Sequence, residues 1–306
     1  MDRLESMSIL VSAAEAGSLS ASSRRLGTPL ATVSRKVSEL EAYLGTRLLN
    51  RSSRRLTLTD AGRSYVAACK RILDDVGEAE RAASGEYSAP RGDLIITAPI
   101  VFGRLHVLPV VSEFLKTYPE IDIRMALADR VVNLFEDHLD LAVRIGELPD
   151  SSLVASRVGA IRRVVCASPA YFSARGTPTN PDELGAQNGV HDCISFEASV
   201  TPQAWTFAIG KSDLSVPIRS RLTVNTAEAA IDAAIAGVGI TRVLSYQVAT
   251  AVRAGTLAVA LAEFESAPSP VSLVYGGGRL LALKLRAFLG FAAPRLKARL
   301  AGKYNL

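Results

Sequence analysis

Hydrophobic and polar positions follow two rhythms along this 306-residue chain, and the rhythm changes near residue 92. In "DRLESMSILVSAAEAGS" the apolar residues Leu4, Met7, Leu10, Val11 and Ala14 recur at helical spacing, and Gly17 suits the end of that helix. Ser18 or Ser20 can cap the next segment, "LSASSRRLG", which stops at Gly27. A third helix is predicted from Thr28 as cap and Pro29 as first helical residue, closing at Gly45. Its apolar back is Val33, Val37, Leu40 and Leu44. Three short helices with a tight turn between the second and third predict a helix-turn-helix.

The front of the third helix is left with Leu30, Ala31, Thr32, Ser34, Arg35 and Ser38. In a helix-turn-helix such a face enters the DNA major groove while the preceding helix braces it on the backbone. Arg35 suits a guanine edge or a phosphate, and Leu30 and Thr32 suit a thymine methyl. Ser34 and the helix N-termini, around Ser20 and around Thr28 and Pro29, suit phosphate oxygens. The competing reading is a plain three-helix bundle with a polar outside. Next comes "TRLLNRSSRRLTLTDAG", in which Arg51, Arg54 and Arg55 stand among small polar residues and "RLTLT" reads as a strand. A basic hairpin in that place is a wing for flanking phosphates or the minor groove.

Thr59-Asp60 then starts a longer helix. Along it Tyr65, Cys69, Ile72, Val76, Ala79 and Ala83 recur with heptad spacing. That seam fits a coiled coil between two copies of the chain, which would present two helix-turn-helix units to two half-sites; it fits packing against the chain's own winged domain as well. "SGEYSAPRG" reads as a linker. Beyond it, strand-like runs ("LIITA", "IDIRMAL", "LDLAVRIG", "RRVVCAS", "CISF", "RLTVN", "VSLVYG") alternate with helical ones ("HVLPVVSEFLKTYP", "PAYFSARG", "TAEAAIDAAIAG", "SYQVATAVRAG"). This predicts α/β units around mostly parallel sheets, with ligands beyond the carboxyl ends of the strands.

Charge sharpens the first half of this picture. The net charge of +5 is concentrated: residues 20–63 carry nine basic and three acidic residues, and the rest of the chain sums to −1. A basic patch confined to the helix-turn-helix and wing is what a polyanion partner requires. The hydrophobic fraction, 48%, fits a globular chain of this length with two domains. The N-terminus carries no signal-peptide pattern and no run reaches a membrane span, so a cytoplasmic location is expected.

The pieces "AAEAGSLSASSRRLG", "TVSRKVSELEAYLGTRLLNR" and "RLTLTDAG" resemble, in order and spacing, the winged helix-turn-helix of LysR-type transcriptional regulators. "TAPIVFGRLHVLPVVSEFLKTYPEI", "DLAVRIGELPDSSLVASRVG" and "VCASPAYFSARGTP" resemble the effector domain of the same family. The resemblance implies an N-terminal all-α winged helix-turn-helix (1–62), a linker helix and hinge (63–91), and a C-terminal α/β domain like periplasmic binding proteins (92–306). That domain would divide into subdomains 92–161 with 268–306, and 162–267. It also implies a homo-oligomer, dimer or dimer of dimers, on a duplex operator, with RNA polymerase a further candidate partner. An effector cleft would be lined by Pro99, Ile100, Val101, Phe102, Arg144, Ile145 and Gly146 from one side and Phe196, Trp205, Asn225 and Thr226 from the other. A helix start and one arginine favour an anion, and aromatics favour an apolar body, so a small carboxylate or aromatic acid is expected. A structural ion pair explains Arg144 equally well, and core packing explains Phe196 and Trp205.

Catalytic chemistry is not expected. His106, His138 and His191 are too far apart in sequence to suggest a metal cluster, and no G-x-S-x-G, P-loop or G-x-G-x-x-G occurs. Adjacent residues as in "HDC" (191–193) seldom face one another. Cys69, Cys166 and Cys193 form no CxxC; a redox role for Cys166 or Cys193 stays a minor alternative. No cofactor is implied.

Overall fold

The structure is a computed structural model describing residues 2–51, 56–83, 89–130, 133–134, 137–187, 189–196, 204–210, 212–277 and 281–301; at positions 51, 75, 78 and 81–83 it describes the backbone alone. The chain begins with α1 (Arg3–Ala16), capped by the Asp2 carboxylate, which accepts from the Glu5 N–H at 3.1 Å. Ser18, rather than Ser20, caps α2 (Leu19–Leu26) by accepting from the Ala21 N–H at 3.0 Å. The turn that follows depends on Gly27 at φ 62°, a conformation glycine adopts at no steric cost.

The third helix, α3 (Leu30–Leu44), starts one residue later than the sequence predicts. Pro29 is the cap: its carbonyl accepts the Val33 N–H at 3.1 Å. Thr28 does not cap. Its N–H goes to the Ser23 carbonyl (3.1 Å), its carbonyl accepts from Ser23 Oγ (2.6 Å), and its hydroxyl donates back to the Leu26 carbonyl. A residue before proline is pushed out of the helical region, so Thr28 completes the turn and Pro29 opens the helix. Val33, Val37 and Leu40 are buried against Ile9, Leu10, Leu48, Leu49 and Val66. Strands β1 (Leu49–Arg51) and β2 (Leu56–Leu58) pair antiparallel as the wing.

Helix α4 (Asp60–Ala83) begins where Thr59 Oγ1 accepts the Gly62 N–H at 2.9 Å and donates to the Arg47 carbonyl at 2.8 Å. The first turns of the heptad seam are used inside the chain. Cys69 is fully buried and Tyr65 half-buried against the N-terminal core, which corrects Cys69 as a contact to a second copy. Its thiol, whose pKa is pushed up to about 11 by burial, behaves here as a small apolar group. Ile72 and Ala79 are exposed and Val76 is half-buried; the side chain of Ala83 lies outside the described residues.

The rest of the chain builds two five-stranded sheets. From β3 (Gly92–Ala98) the chain enters a helical run, α5 (Ile100–Phe102), a π-helical turn Gly103–Val107, and α6 (Leu108–Thr117). Then come β4 (Ile121–Leu127), β5 (Leu141–Ile145) and β6 (Leu153–Ile161). The chain crosses to the second sheet through Arg162 and forms β7 (Arg163–Ala167), α7 (Pro169–Arg175), β8 (Cys193–Phe196), the hairpin β9 (Ala204–Ile209) and β10 (Ser212–Pro217), and β11 (Ser220–Val224). It continues with α8 (Ala227–Ile235), β12 (Ile240–Leu244), α9 (Ser245–Arg253) and β13 (Ala258–Ala260). It then returns through 261–268 to β14 (Ser269–Gly276) and α10 (Leu283–Ala301).

Strand order is β4-β3-β5-β14-β6 in the first sheet and β11-β8-β12-β7-β13 in the second. Each sheet is mixed rather than mostly parallel. β4, β3 and β5 run parallel and β14 and β6 are paired antiparallel; β11, β8 and β12 run parallel and β7 and β13 are paired antiparallel. The antiparallel strands are the ones next to the two crossings. Alternating residues serve opposite faces. In β7, Val164 and Cys166 pack beneath α8 and α9, whereas Val165 and Ala167 pack against Tyr171 and Phe172 of α7. In the first sheet, α6 and α10 cover one face, with Phe114 edge-on to Phe288 at 5.0 Å.

Candidate nucleic-acid interface and ligand site

The outward side of α3 is open to solvent. Ser20, Pro29, Leu30, Ala31, Arg35 and Ser38 are exposed, and Thr28, Thr32 and Ser34 are half-buried. Leu30, an apolar residue at a helix start, is 46% exposed. These residues stand at the start of α2, in the turn before α3 and on α3 as far as Ser38. Of the wing cations, Arg54 and Arg55 and the side chain of Arg51 lie outside the described residues. Arg35 is held by Glu39 one helical turn on, an exposed ion pair that is worth little in water and is readily exchanged for a phosphate.

Sequence reasoning missed the residues that hold this surface in place. Glu41, on the back of α3, accepts from the N–H groups of both Leu48 (2.8 Å) and Leu49 (3.0 Å), fixing the wing to the end of the recognition helix. Glu15 joins three helices: it pairs with Arg25 of α2 at 3.0 Å and Lys70 of α4 at 2.7 Å. The hydrogen bond from Lys70 holds its carboxyl below the usual range. At Gly62 a Cβ would overlap the Leu48 carbonyl oxygen, so only glycine lets α4 leave the wing at this angle. The "DAG" of the sequence therefore has a steric cause, but its contact lies 14 residues away in the chain and is invisible to local pattern.

The expected ligand residues are partly assembled and partly not. Pro99 precedes α5, and the Ile100 N–H is already taken by the Asp129 carboxylate at 3.0 Å. Val101 and Phe102 do not line a cleft. Both are buried in the first sheet's core, and Phe102 stacks on His106 at 4.7 Å and meets Tyr246 of α9 edge-on at 5.5 Å. They point inward because the helical run must bury one face on the sheet. Burial, aided by Arg299, pushes the His106 pKa down to about 4, so the ring is neutral. Tyr246 was not foreseen; burial first, then the charges of Asp129 and Glu228, raise its pKa.

Arg144 lines a cavity of about 370 Å³ with Leu134, Leu148, Leu153 and Val274, on the sheet face away from α10, and donates to the Arg130 carbonyl at 3.4 Å. Burial pulls its pKa below the usual value. Ile145 packs on the core, and Gly146 sits at φ 115° with its N–H on the Pro270 carbonyl. Phe196 and Val224 are register partners, so Phe196, exposed Asn225 and Thr226 gather at the carboxyl edge of the second sheet. Thr226 caps α8 by accepting from the Ala229 N–H at 3.3 Å. Trp205 is not with them: it is buried among Tyr171, Phe172 and Leu184, where the β9–β10 hairpin covers the sheet.

The remaining chemistry is structural. His191 meets Tyr171, Asp192 pairs with Arg221 and Arg175, and Cys193 points its thiol at the Leu184 carbonyl, so "HDC" makes no catalytic unit. Burial drives the thiols of Cys166 and Cys193 up to about 12, leaving neither a nucleophile. Among the described residues no group of His, Cys, Asp and Glu could hold a metal, and no helix is long and apolar enough to cross a membrane.

Comparison with known proteins accounts for both halves. Residues 4–63 match the family "Bacterial regulatory helix-turn-helix protein, lysR family", and residues 88–297 match "LysR substrate binding domain". An HTH-type transcriptional regulator of Xanthomonas campestris pv. campestris is 36% identical over 94% of this chain and 84% of its own length. The structure of CrgA, a LysR-type transcriptional regulator from Neisseria meningitidis, aligns with a TM-score of 0.59 at 30% identity, over 95% of this chain and 98% of its own. The full-length Vibrio cholerae virulence activator AphB aligns with a TM-score of 0.59 at 26% identity over the same shares. The chain belongs to the LysR family: it is a DNA-binding transcriptional regulator with an effector-binding domain, not an enzyme.

Proposed function

We propose that this regulator reads its operator through the exposed face of α3, with Arg35 the main polar contact and Leu30 and Thr32 its apolar ones, while the wing cations Arg51, Arg54 and Arg55 hold flanking phosphates. The observation that carries this reading is the open, polar front of a helix whose back, Val33, Val37 and Leu40, is fully buried. In this reading 1–62 is the DNA-binding unit, 63–91 the linker, and 92–306 the sensor, acting in the cytoplasm. Two copies pair through the outer part of α4, where Ile72, Val76 and Ala79 remain uncovered or half-covered by their own chain; dimers assemble into tetramers and engage RNA polymerase.

The effector is a small carboxylate or aromatic acid at the carboxyl edges of the two sheets, near Pro99, Ile100, Phe196, Asn225 and Thr226, with Arg144 as its anionic anchor. Asp129 occupies the Ile100 N–H, so the helix start contributes less to anion binding than the arginine does. Effector binding shifts the population between sheet arrangements and so the spacing of half-sites. A gel-shift titration across salt tests the DNA reading: affinity falls steeply as salt rises, and salt-insensitive or absent binding overturns it. A thermal-shift screen of small acids, with Arg144→Met as control, tests the effector.

A further inference from the structure

We infer that helix α4 is latched in cis onto the effector domain by two polar contacts, Asp74–Lys284 and Arg71–His138, so that the DNA-binding arm is held by a clip built to open. The inference rests on the regulator reading for its significance, not for its geometry. Lys284, at the start of α10, places Nζ 3.3 Å from the Asp74 carboxylate of α4. Arg71 Nη2 stands 3.1 Å from His138 Nδ1, in the segment between β4 and β5. A small cavity of about 100 Å³ lies between the two contacts, walled by α4 on one side and by Asp93 and Arg124 of the first sheet on the other.

Successive residues of α4, about 100° apart around the helix, reach different neighbours. Lys70 grips Glu15 of α1 at 2.7 Å, and Arg71 grips His138. With Cys69 buried one residue earlier, the winged domain and this stretch of α4 form one body. Whatever fixes α4 on the first sheet therefore fixes the orientation of the recognition helix.

The chemistry of the contact is that of a latch rather than a weld. The Lys284 side chain is 9% exposed, a charge drawn out of water against one carboxylate that is itself 52% exposed. Arg71 Nε is buried with no hydrogen-bond partner among the described residues. His138 is held at φ 54°, a region that L residues visit rarely. The first two disfavour the docked state and are relieved when α4 lifts off and the cations rehydrate. Polar interfaces of this kind between domains permit relative motion. The Arg71 guanidinium can only donate, so His138 Nδ1 is the acceptor in this contact.

The experiment is amine acetylation of the full-length protein, with the rate at Lys284 read by peptide mass spectrometry against exposed Lys297 as internal standard. Lys284 in the unaltered chain is expected to react about tenfold more slowly than Lys297, as a site reached only by local opening does. Arg71→Ala is expected to raise the Lys284 rate about fivefold or more, although its partner is His138 and not Lys284, because both contacts belong to one opening. Asp74→Asn, a near-isosteric change, is expected to do the same. Equal rates at Lys284 and Lys297 in the unaltered chain, or a Lys284 rate unmoved by Arg71→Ala and Asp74→Asn, overturn the latch. Operator binding of the unaltered chain, measured alongside, reports separately on the regulator reading.

Discussion

Ser12 of α1 and Ser22 of α2 meet hydroxyl to hydroxyl at 2.9 Å, both buried. The pair pins the brace helix to the scaffold on which α3 rests. Removing one partner strands the other: Ser22→Ala is expected to destabilise the winged domain by about 1–3 kcal/mol. The double change Ser12→Ala with Ser22→Ala is expected to cost less than the sum of the single changes, because no hydroxyl is then left unmatched. Urea unfolding of the four forms checks this, and additive losses would refute it.

In the proposed DNA contact, Glu39 competes with DNA for Arg35. Arg35→Ala is expected to lower operator affinity about tenfold or more with the fold intact, since a base-reading arginine is worth about 1–3 kcal/mol. Glu39→Gln releases Arg35 and removes a negative charge from the interface. It is expected to raise affinity about two- to fivefold, the range of an exposed ion pair. If Arg35 contacts phosphate instead of base, Arg35→Ala also lowers the salt slope by about one; gel shifts at several salt concentrations read both quantities.

Gly62→Ala is expected to cost about 1–3 kcal/mol or more, because the added methyl meets a backbone carbonyl that cannot step aside. Gly290, with nothing within 4 Å of an added Cβ, is the control: Gly290→Ala on α10 is expected to be neutral or stabilising. Thermal melts of the two variants should move in opposite directions or, at least, differ in size by this margin.

His106 makes the effector domain acid-sensitive. Its pKa falls from 6.5 to about 4 on folding, so the unfolded chain takes up the proton first. Stability is therefore full above pH 6.5 and declines as pH falls toward 4, by roughly 3 kcal/mol in all at 1.36 kcal/mol per pKa unit. His106→Leu is expected to flatten that decline. Urea midpoints at several pH values between 4 and 7.5 measure it, and an unchanged slope in the variant would assign the sensitivity to other groups.

The winged domain was legible in the sequence because its determinants are local. Ser18 and Gly27 act within a few residues of where they stand, and the Val33–Val37–Leu40 back shows its helical spacing locally although it packs on residues as distant as Ile9 and Val66. Thr28 was misread because two cap-forming signals, a threonine and a proline, sit side by side and only the turn decides between them. The sheet elements were legible, but not their mixed direction, which depends on where the chain crosses. The β9–β10 hairpin was missed; Trp205 took the core-packing one of its two readings, and the letters could not decide between them because an aromatic under a hairpin and one in a cleft read alike. Phe102 followed the same logic: its partner Tyr246 is 144 positions away.

The two places where the chain passes between sheets lie side by side, for Arg162 in one pairs with Glu265 in the other at 3.3 Å. A body tethered to another by two adjacent cords can swing about the line that joins them, yet it cannot slide or shear without stretching one. Any opening and shutting of one sheet against the other is thus held close to a door's single degree of freedom.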